Sequence, residues 1–235
     1  MRAETSRPCP REGHVTNTGW SLVVPLKPLV LAKSRLAAAA DDALRPGLAL
    51  AFAQDTVAAA LACSAVRDVV VVTDDVLAAA ELTALGARIE PDAPAAGLNA
   101  ALAHGARSAR AARAGAAIAV LNADLPALRP AELLRVLDAA AVFPRAFLAD
   151  AAGIGTTLLS AAPHVELSPS FGGPSRARHS ASGAAEIRLD GVDSVRQDVD
   201  TLEDLRAAVA LGVGPRTTAR SARFMADFDP AGGPA

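Results

Sequence analysis

The acidic residue that first invites a chemical reading lies in VLNADLPAL, residues 120–128, where an apolar run ends at Asp124 and the chain turns on Pro126. A carboxylate where a buried strand runs out is costly to desolvate, so it is expected to hold something, and a hard cation is the natural guest. DVD at 198–200 places Asp198 and Asp200 on either side of a valine. In a strand these two would share one face and could join Asp124 around one ion. Mg²⁺ suits such a set, because it takes one or two carboxylates and completes its shell with substrate phosphates and water. The plain alternative is that Asp200 only caps the helix that follows.

Cations are as thinly spread as they are informative. Lys27 and Lys33 are the only lysines, and with Arg35 they occupy a single loop, PLKPLVLAKSRL. A lysine is a mobile point charge and an arginine a bidentate fork, so the three could converge on a polyphosphate; otherwise they form a solvated loop. Gly97, Leu98 and Asn99 open a helix whose unpaired N–H groups could meet an anion or the edge of a base, and Thr73 ends a neighbouring strand. FGGPSRARH at 171–179 sets Gly172, Ser175 and Arg176 ahead of a helical turn, which suits a phosphate or a carboxylate; a surface loop is the alternative.

The elements that must position these residues alternate. WSLVVPL reads as the first strand, 47–63 as a helix, and VRDVVVVTDD as a strand covered on both faces. A helix over 76–86, a short strand ARIEPD, a helix over 97–112 and a strand ending at LNAD follow. Pro130 introduces another helix. FLADAAG and GTTLLSAA read as two strands around a glycine turn, EIRLD and VRQDVDT as strand-like, and LEDLRAAVALG as the last helix, with Thr201 as its N-cap. This order predicts an α/β, three-layer sandwich with a mostly parallel sheet, and ligands outside the carboxyl ends of its strands. Asp74, Asp75, Asp92, Asp124 and Asp150 all fall at or near such ends.

The 235 residues are 51% hydrophobic, enough for one core, with a formal net charge of −2 that offers no basic field to nucleic acid or a membrane surface. No apolar stretch reaches the roughly 18–20 residues that span a bilayer, and a cytoplasmic protein is expected. Cys9 and Cys63 have neither the number nor the spacing of a disulfide framework or a zinc site. Residues 1–19 read as a flexible leader, 20–216 as the folded domain and 217–235 as a flexible tail. The first strand is followed by neither a G-x-G-x-x-G nor a P-loop signature, which argues against a dinucleotide-dependent oxidoreductase and a P-loop NTPase.

Taken in order, VPLKPLVLAKSRL, GLNAAL, LNADLPAL, GIGTTLL, FGGPSRARHSASGA and RQDVDTLEDL resemble the guanylyltransferases of deazaflavin cofactor (coenzyme F420) biosynthesis, which use phosphoenolpyruvate or 2-phospho-L-lactate. The resemblance spans about residues 20–216. It implies a single-domain, GT-A-like nucleotidyltransferase fold and a reaction of GTP with a three-carbon phosphorylated acid to give a guanosine diphosphate conjugate and pyrophosphate. It further implies one or two Mg²⁺ ions on Asp124 and Asp198, with Asp200 a further candidate, and acid contacts at Thr156, Gly172 and Ser175. The GIGTT and FGGPS segments depart from the family pattern, which leaves Thr156 and Thr157 as alternatives.

On this reading Lys27, Lys33 and Arg35 face the departing pyrophosphate, while Thr73 and Gly97 to Asn99 hold the base. Phosphoenolpyruvate is the favoured acid, with 2-phospho-L-lactate and 3-phospho-D-glycerate as alternatives. A GT-A-like glycosyltransferase and a non-catalytic nucleotide-binding module are the more distant readings. A homodimer and handover to the next transferase of the pathway are compatible with the sequence, although no residue argues for either.

Overall fold

The computed structural model describes residues 19–31, 44–93 and 95–226, with the side chains of 223–226 left aside. Strand β1, Trp20–Pro25, is buried along its length and lies in the middle of a seven-stranded sheet ordered β3-β2-β1-β4-β6-β5-β7. The other strands are β2 (Val66–Val72), β3 (Arg88–Glu90), β4 (Ala117–Leu121), β5 (Arg145–Ala149), β6 (Thr156–Ala161) and β7 (Ala185–Glu186). β1 pairs in parallel with β2 and β4, and β2 with β3, whereas β6 runs antiparallel to both β4 and β5. Reversing that one strand brings its first residue, Thr156, to the edge where β4 and β5 end.

Pleating divides the β-branched runs between two cores. Leu22, Val24, Val69, Val71, Ala119 and Leu121 face one side, packed by α1 (Leu44–Ala62), α2 (Val76–Ala84) and α4 (Pro130–Ala140). Val23, Val70, Val72, Ile118 and Val120 face the other, covered by α3 (Leu98–Ala112) and by Leu167 and Phe171 from the loop after β6. Both faces of the central strands are thus covered, as the continuous apolar runs predict. α3 lies very close to the sheet, since a Cβ on Gly105 would stand 2.6 Å from Val72 and 2.7 Å from Val23.

Beyond these come α5 (Ser175–Ala181), α6 (Asp193–Arg196), α7 (Leu202–Leu211) and α8 (Pro215–Ala226). Three sequence expectations change here. VRQDVDT is not a strand: Val195 and Arg196 finish α6, and residues 197–200 follow without ladder pairing. Val192, Val195 and Val199 are all buried, so the spacing that looked strand-like serves a helical turn and its exit. EIRLD contributes only Glu186 to β7.

The third change concerns the C-terminal end, where α8 continues past the expected domain boundary at 216 and packs on α1. Its first turn is held by a buried carboxylate from that helix: Asp55 accepts from the backbone N–H of Thr217 at 2.8 Å and of Arg216 at 3.3 Å. No helix among the described residues is long and apolar enough to cross a membrane.

Candidate active site

At the carboxyl edge of the sheet lies a cleft of about 700 Å³ lined by the ends of β1, β4 and β5, the start of β6, and the loops that precede α5 and α7. Asp124, two residues into the loop after Asn122, is fixed from three directions. Asn122 N–H donates to Thr157 O at 3.0 Å, and Val199 N–H donates to the Asp124 carbonyl at 3.1 Å. The Leu125 N–H donates to Thr56 Oγ1 of α1 at 3.0 Å. The second of these bonds ties DVD to the Asp124 loop, and Val199 is driven into a small core with Leu48, Phe52, Leu205 and Ala208. A buried valine therefore anchors the two acids beside it at the cleft.

The helix cap is not Asp200. Thr201 caps α7, accepting from Asp204 N–H, while Asp204 accepts from the Thr201 backbone in a reciprocal box. Asp150 lies at the end of β5, and its carboxylate accepts the N–H groups of Ile154 at 2.9 Å and Gly155 at 2.7 Å, closing the β5–β6 turn.

Four carboxylates act on one another here. Burial pushes the Asp198 carboxyl up to about 7, and the charges of Asp124, Asp150 and Asp200 add to the push. The cleft is lined by five carboxylates, those of Asp124, Asp150, Asp198, Asp200 and Asp204, and among the described residues Lys27 is its only lysine or arginine. Repulsion from these carboxylates disfavours a polyphosphate, and added positive charge would offset it. Among the described residues no three acidic, histidine or cysteine side chains are grouped to hold an ion by themselves. A three-carboxylate cage is therefore not preformed. The donor set suits a hard cation that takes one or two carboxylates and fills its shell from phosphate oxygens and water.

The opposite wall belongs to the β6 start and the loop before α5, where Thr156, Gly172, Gly173 and Ser175 line the cleft. Sheet register determines which of Thr156 and Thr157 reaches the cleft. Leu148 pairs with Leu158 but Ala149 with Thr156, so Thr157 is an extra residue that turns Thr156 toward the Phe147 face. Thr157 is fully buried and does not line the cleft. Thr156 Oγ1 lies 2.9 Å from His179 Nδ1.

Other expected contacts take different places. Asn99, expected at the base, is hydrogen-bonded within the protein: Nδ2 donates to Phe171 O at 3.2 Å, and Phe171 N–H donates to Oδ1 at 2.7 Å. It is a clip between α3 and the loop that carries Gly172. Arg176 is spent on Glu186, 2.8 Å away, and on the Gly153 carbonyl at 2.9 Å, so it braces the β5–β6 turn outside the cleft. Thr73 is buried, with its hydroxyl accepting from Asp75 N–H, and neither it nor Gly97 lines the cleft. Leu98 does line it, as does Lys27, whereas Lys33 and Arg35 lie outside the described residues. Asp150 and His179 were not singled out as site residues from sequence. Asp150 had a signal, its position at a strand end; His179 had none beyond its loop.

A family described as guanylyl transferase CofC like matches residues 20–230. The chain belongs to that family. Similar proteins include the phosphoenolpyruvate guanylyltransferase of Streptomyces coelicolor, 71% identical over 88% of this chain and 97% of that one. That of Thermomonospora curvata is 62% identical over 98% and 97%. A putative nucleotide-diphospho-sugar transferase from Desulfovibrio desulfuricans G20 superposes with a TM-score of 0.60 at 13% identity, covering 89% of this chain and 98% of that one. A nucleotidyl transferase from Methanothermobacter does so at 0.56 and 18%, covering 82% and 97%. These two likenesses concern the fold. The CofC-like chain is thus a nucleotidyltransferase with an α/β, mostly parallel sheet, and the cleft described above is the candidate site for that chemistry.

Proposed function

We propose that this enzyme condenses GTP with phosphoenolpyruvate, giving enolpyruvoyl-2-diphospho-5′-guanosine and pyrophosphate, as a step toward coenzyme F420 whose product passes to a downstream transferase. The observation that carries the reading is one cleft with two chemically distinct walls: Thr156, Gly172 and Ser175 on one, and Asp124, Asp198 and Asp200 with Lys27 nearby on the other. The choice of acid is supported by the names of the similar proteins.

In this reaction a phosphate oxygen of phosphoenolpyruvate attacks the α-phosphorus of GTP in line. A new P–O–P bridge forms, the bond from the α-phosphorus to the bridging oxygen breaks, and pyrophosphate leaves. The attacking group is already ionised at neutral pH, so no protein nucleophile or strong base is required; the protein's task is placement and charge balance. Thr156, Ser175 and the Gly172 backbone hold the acid. Leu98 flanks the nucleotide, and Lys27, with Lys33 and Arg35, offsets the departing charge. Asp124 and Asp198, with Asp200, are the residues to hold Mg²⁺, which when bound would neutralise the phosphate oxygens.

The test is to incubate the protein with GTP and Mg²⁺ and with phosphoenolpyruvate, 2-phospho-L-lactate or 3-phospho-D-glycerate in turn, with mass detection of the conjugate and a pyrophosphate assay. Phosphoenolpyruvate is expected to give the highest kcat/KM. Preference for another acid corrects the substrate, and pyrophosphate release with none of the three refutes the reaction. Asp124→Ala should lower kcat at least about 100-fold while the fold survives.

A further inference from the structure

His179 is fully buried on α5, between the rings of Phe147, 5.8 Å away at 44°, and Phe171, 5.0 Å away and nearly edge-on at 70°. Both ring nitrogens are engaged. The Ser170 backbone N–H points at Nε2 from 3.0 Å, and Thr156 Oγ1 lies 2.9 Å from Nδ1. These two bonds together determine where the ring's proton sits. A backbone N–H can only donate, so Nε2 must offer a lone pair, and a neutral imidazole then carries its one hydrogen on Nδ1. Nδ1–H therefore donates to Thr156, which is left with its own O–H to direct elsewhere. Thr156 is one of the residues that line the cleft.

We propose that His179 is a positioning residue that makes Thr156 an obligate hydrogen-bond donor into the cleft, so that the subsite selects an anionic oxygen. With the other tautomer Thr156 would donate to the ring and turn lone pairs toward the ligand, repelling the same oxygen. An imidazolium would set its Nε2–H against the Ser170 N–H. The surroundings also resist that charge: burial first, then the guanidinium groups of Arg145 on β5 and Arg178 on α5, hold His179 down at about 4. Glu166 lies near enough to Arg145 to offset part of its charge. Phe171, whose ring packs on His179, is itself held through its backbone by Asn99, so α3, the acid loop and α5 support one hydroxyl.

The proposal deepens the guanylyl-transfer reading and rests on it for the ligand, but the tautomer can be tested alone. Long-range ¹⁵N–¹H NMR of the full-length, ligand-free protein between pH 5.5 and 8 should show His179 neutral and protonated on Nδ1 throughout. A proton on Nε2, or titration near the ordinary histidine value, would overturn the assignment whatever the substrate.

The functional arm is a cycle between Thr156→Ala and His179→Gln, in which glutamine keeps an acceptor for Ser170 without a donor for Thr156. Each single change should raise the KM for the acid roughly 10- to 100-fold, the value of a hydrogen bond to a charged group, and leave the KM for GTP unchanged. The double variant should be no worse than Thr156→Ala, and His179→Asn, which restores a donor at the Nδ1 position, should recover part of the loss. Additive losses, or equal damage to both KM values, would show a merely structural role.

Discussion

Replacing Asp198 with Asn should make the ligand-free protein more stable while stopping its chemistry. The Asp198 carboxyl is held at about 7 against an unfolded value of 3.8. Between these limits the folded form keeps a proton that the unfolded chain has released, so stability falls as pH rises and the whole cost is present above pH 7. At about 1.36 kcal/mol per pH unit the gap sets a ceiling of about 4 kcal/mol. Sharing the proton among neighbouring carboxylates and admitting water at the mouth of the cleft bring the expected cost to about 2 kcal/mol. For a chain of this size that is a rise in Tm of about 4–8 °C in Asp198→Asn at pH 8. The advantage should shrink steadily toward pH 4. Thermal and urea melts in EDTA at several pH values measure this directly. Added Mg²⁺ should raise the Tm of the unaltered protein at pH 8 more than that of the variant. Parallel melting behaviour at all pH values, or a less stable variant at pH 8, would refute the argument that these acids are held together against their own repulsion.

Three further substitutions test the supporting shell. Asn99→Ala removes two hydrogen bonds to Phe171; at about 1 kcal/mol each the KM for the acid should rise about 30-fold with that for GTP little changed, the reverse of what a base-reading asparagine would give. Gly155→Ala would put a Cβ 2.4 Å from Asp150 Oδ2, so displacement of that carboxylate should cost about 1–3 kcal/mol in urea unfolding and weaken acid binding. Asp55→Ala strips the first turn of α8 of its acceptor; a loss of about 2 kcal/mol and faster proteolytic cleavage within 215–226 are expected, with the active-site KM values unmoved.

Much of the architecture was legible because it depends on local pattern. The valine run of β2 and the helix that Pro130 opens each state their own period or boundary, and Asp124 stands at an apolar run's end in any reading. Legibility failed where the decisive partner is distant in sequence. α8 is polar and its N-terminus is satisfied by Asp55 from another helix, which no local signal announces. Asn99 looked like part of a ligand-facing helix start, and only the return of Phe171 to the same place reveals its use. The register of Thr156 depends on one skipped residue in a ladder, and the tautomer of His179 on a backbone N–H from a loop. Pattern reading finds the elements; the pairings that aim side chains come from their assembly.

The reversal of β6 has a consequence for how this enzyme class can diversify. Because the strand runs against its neighbours, one short hairpin delivers Asp150 at one end and Thr156 at the other, while the opposite half of the sheet is built separately from β1, β2 and α3. Insertions or deletions between 151 and 155 would remodel the Asp150–Thr156 side of the cleft and leave β1, β2 and α3 in place. On the proposed assignment, swapping that hairpin between relatives should carry acid preference with it.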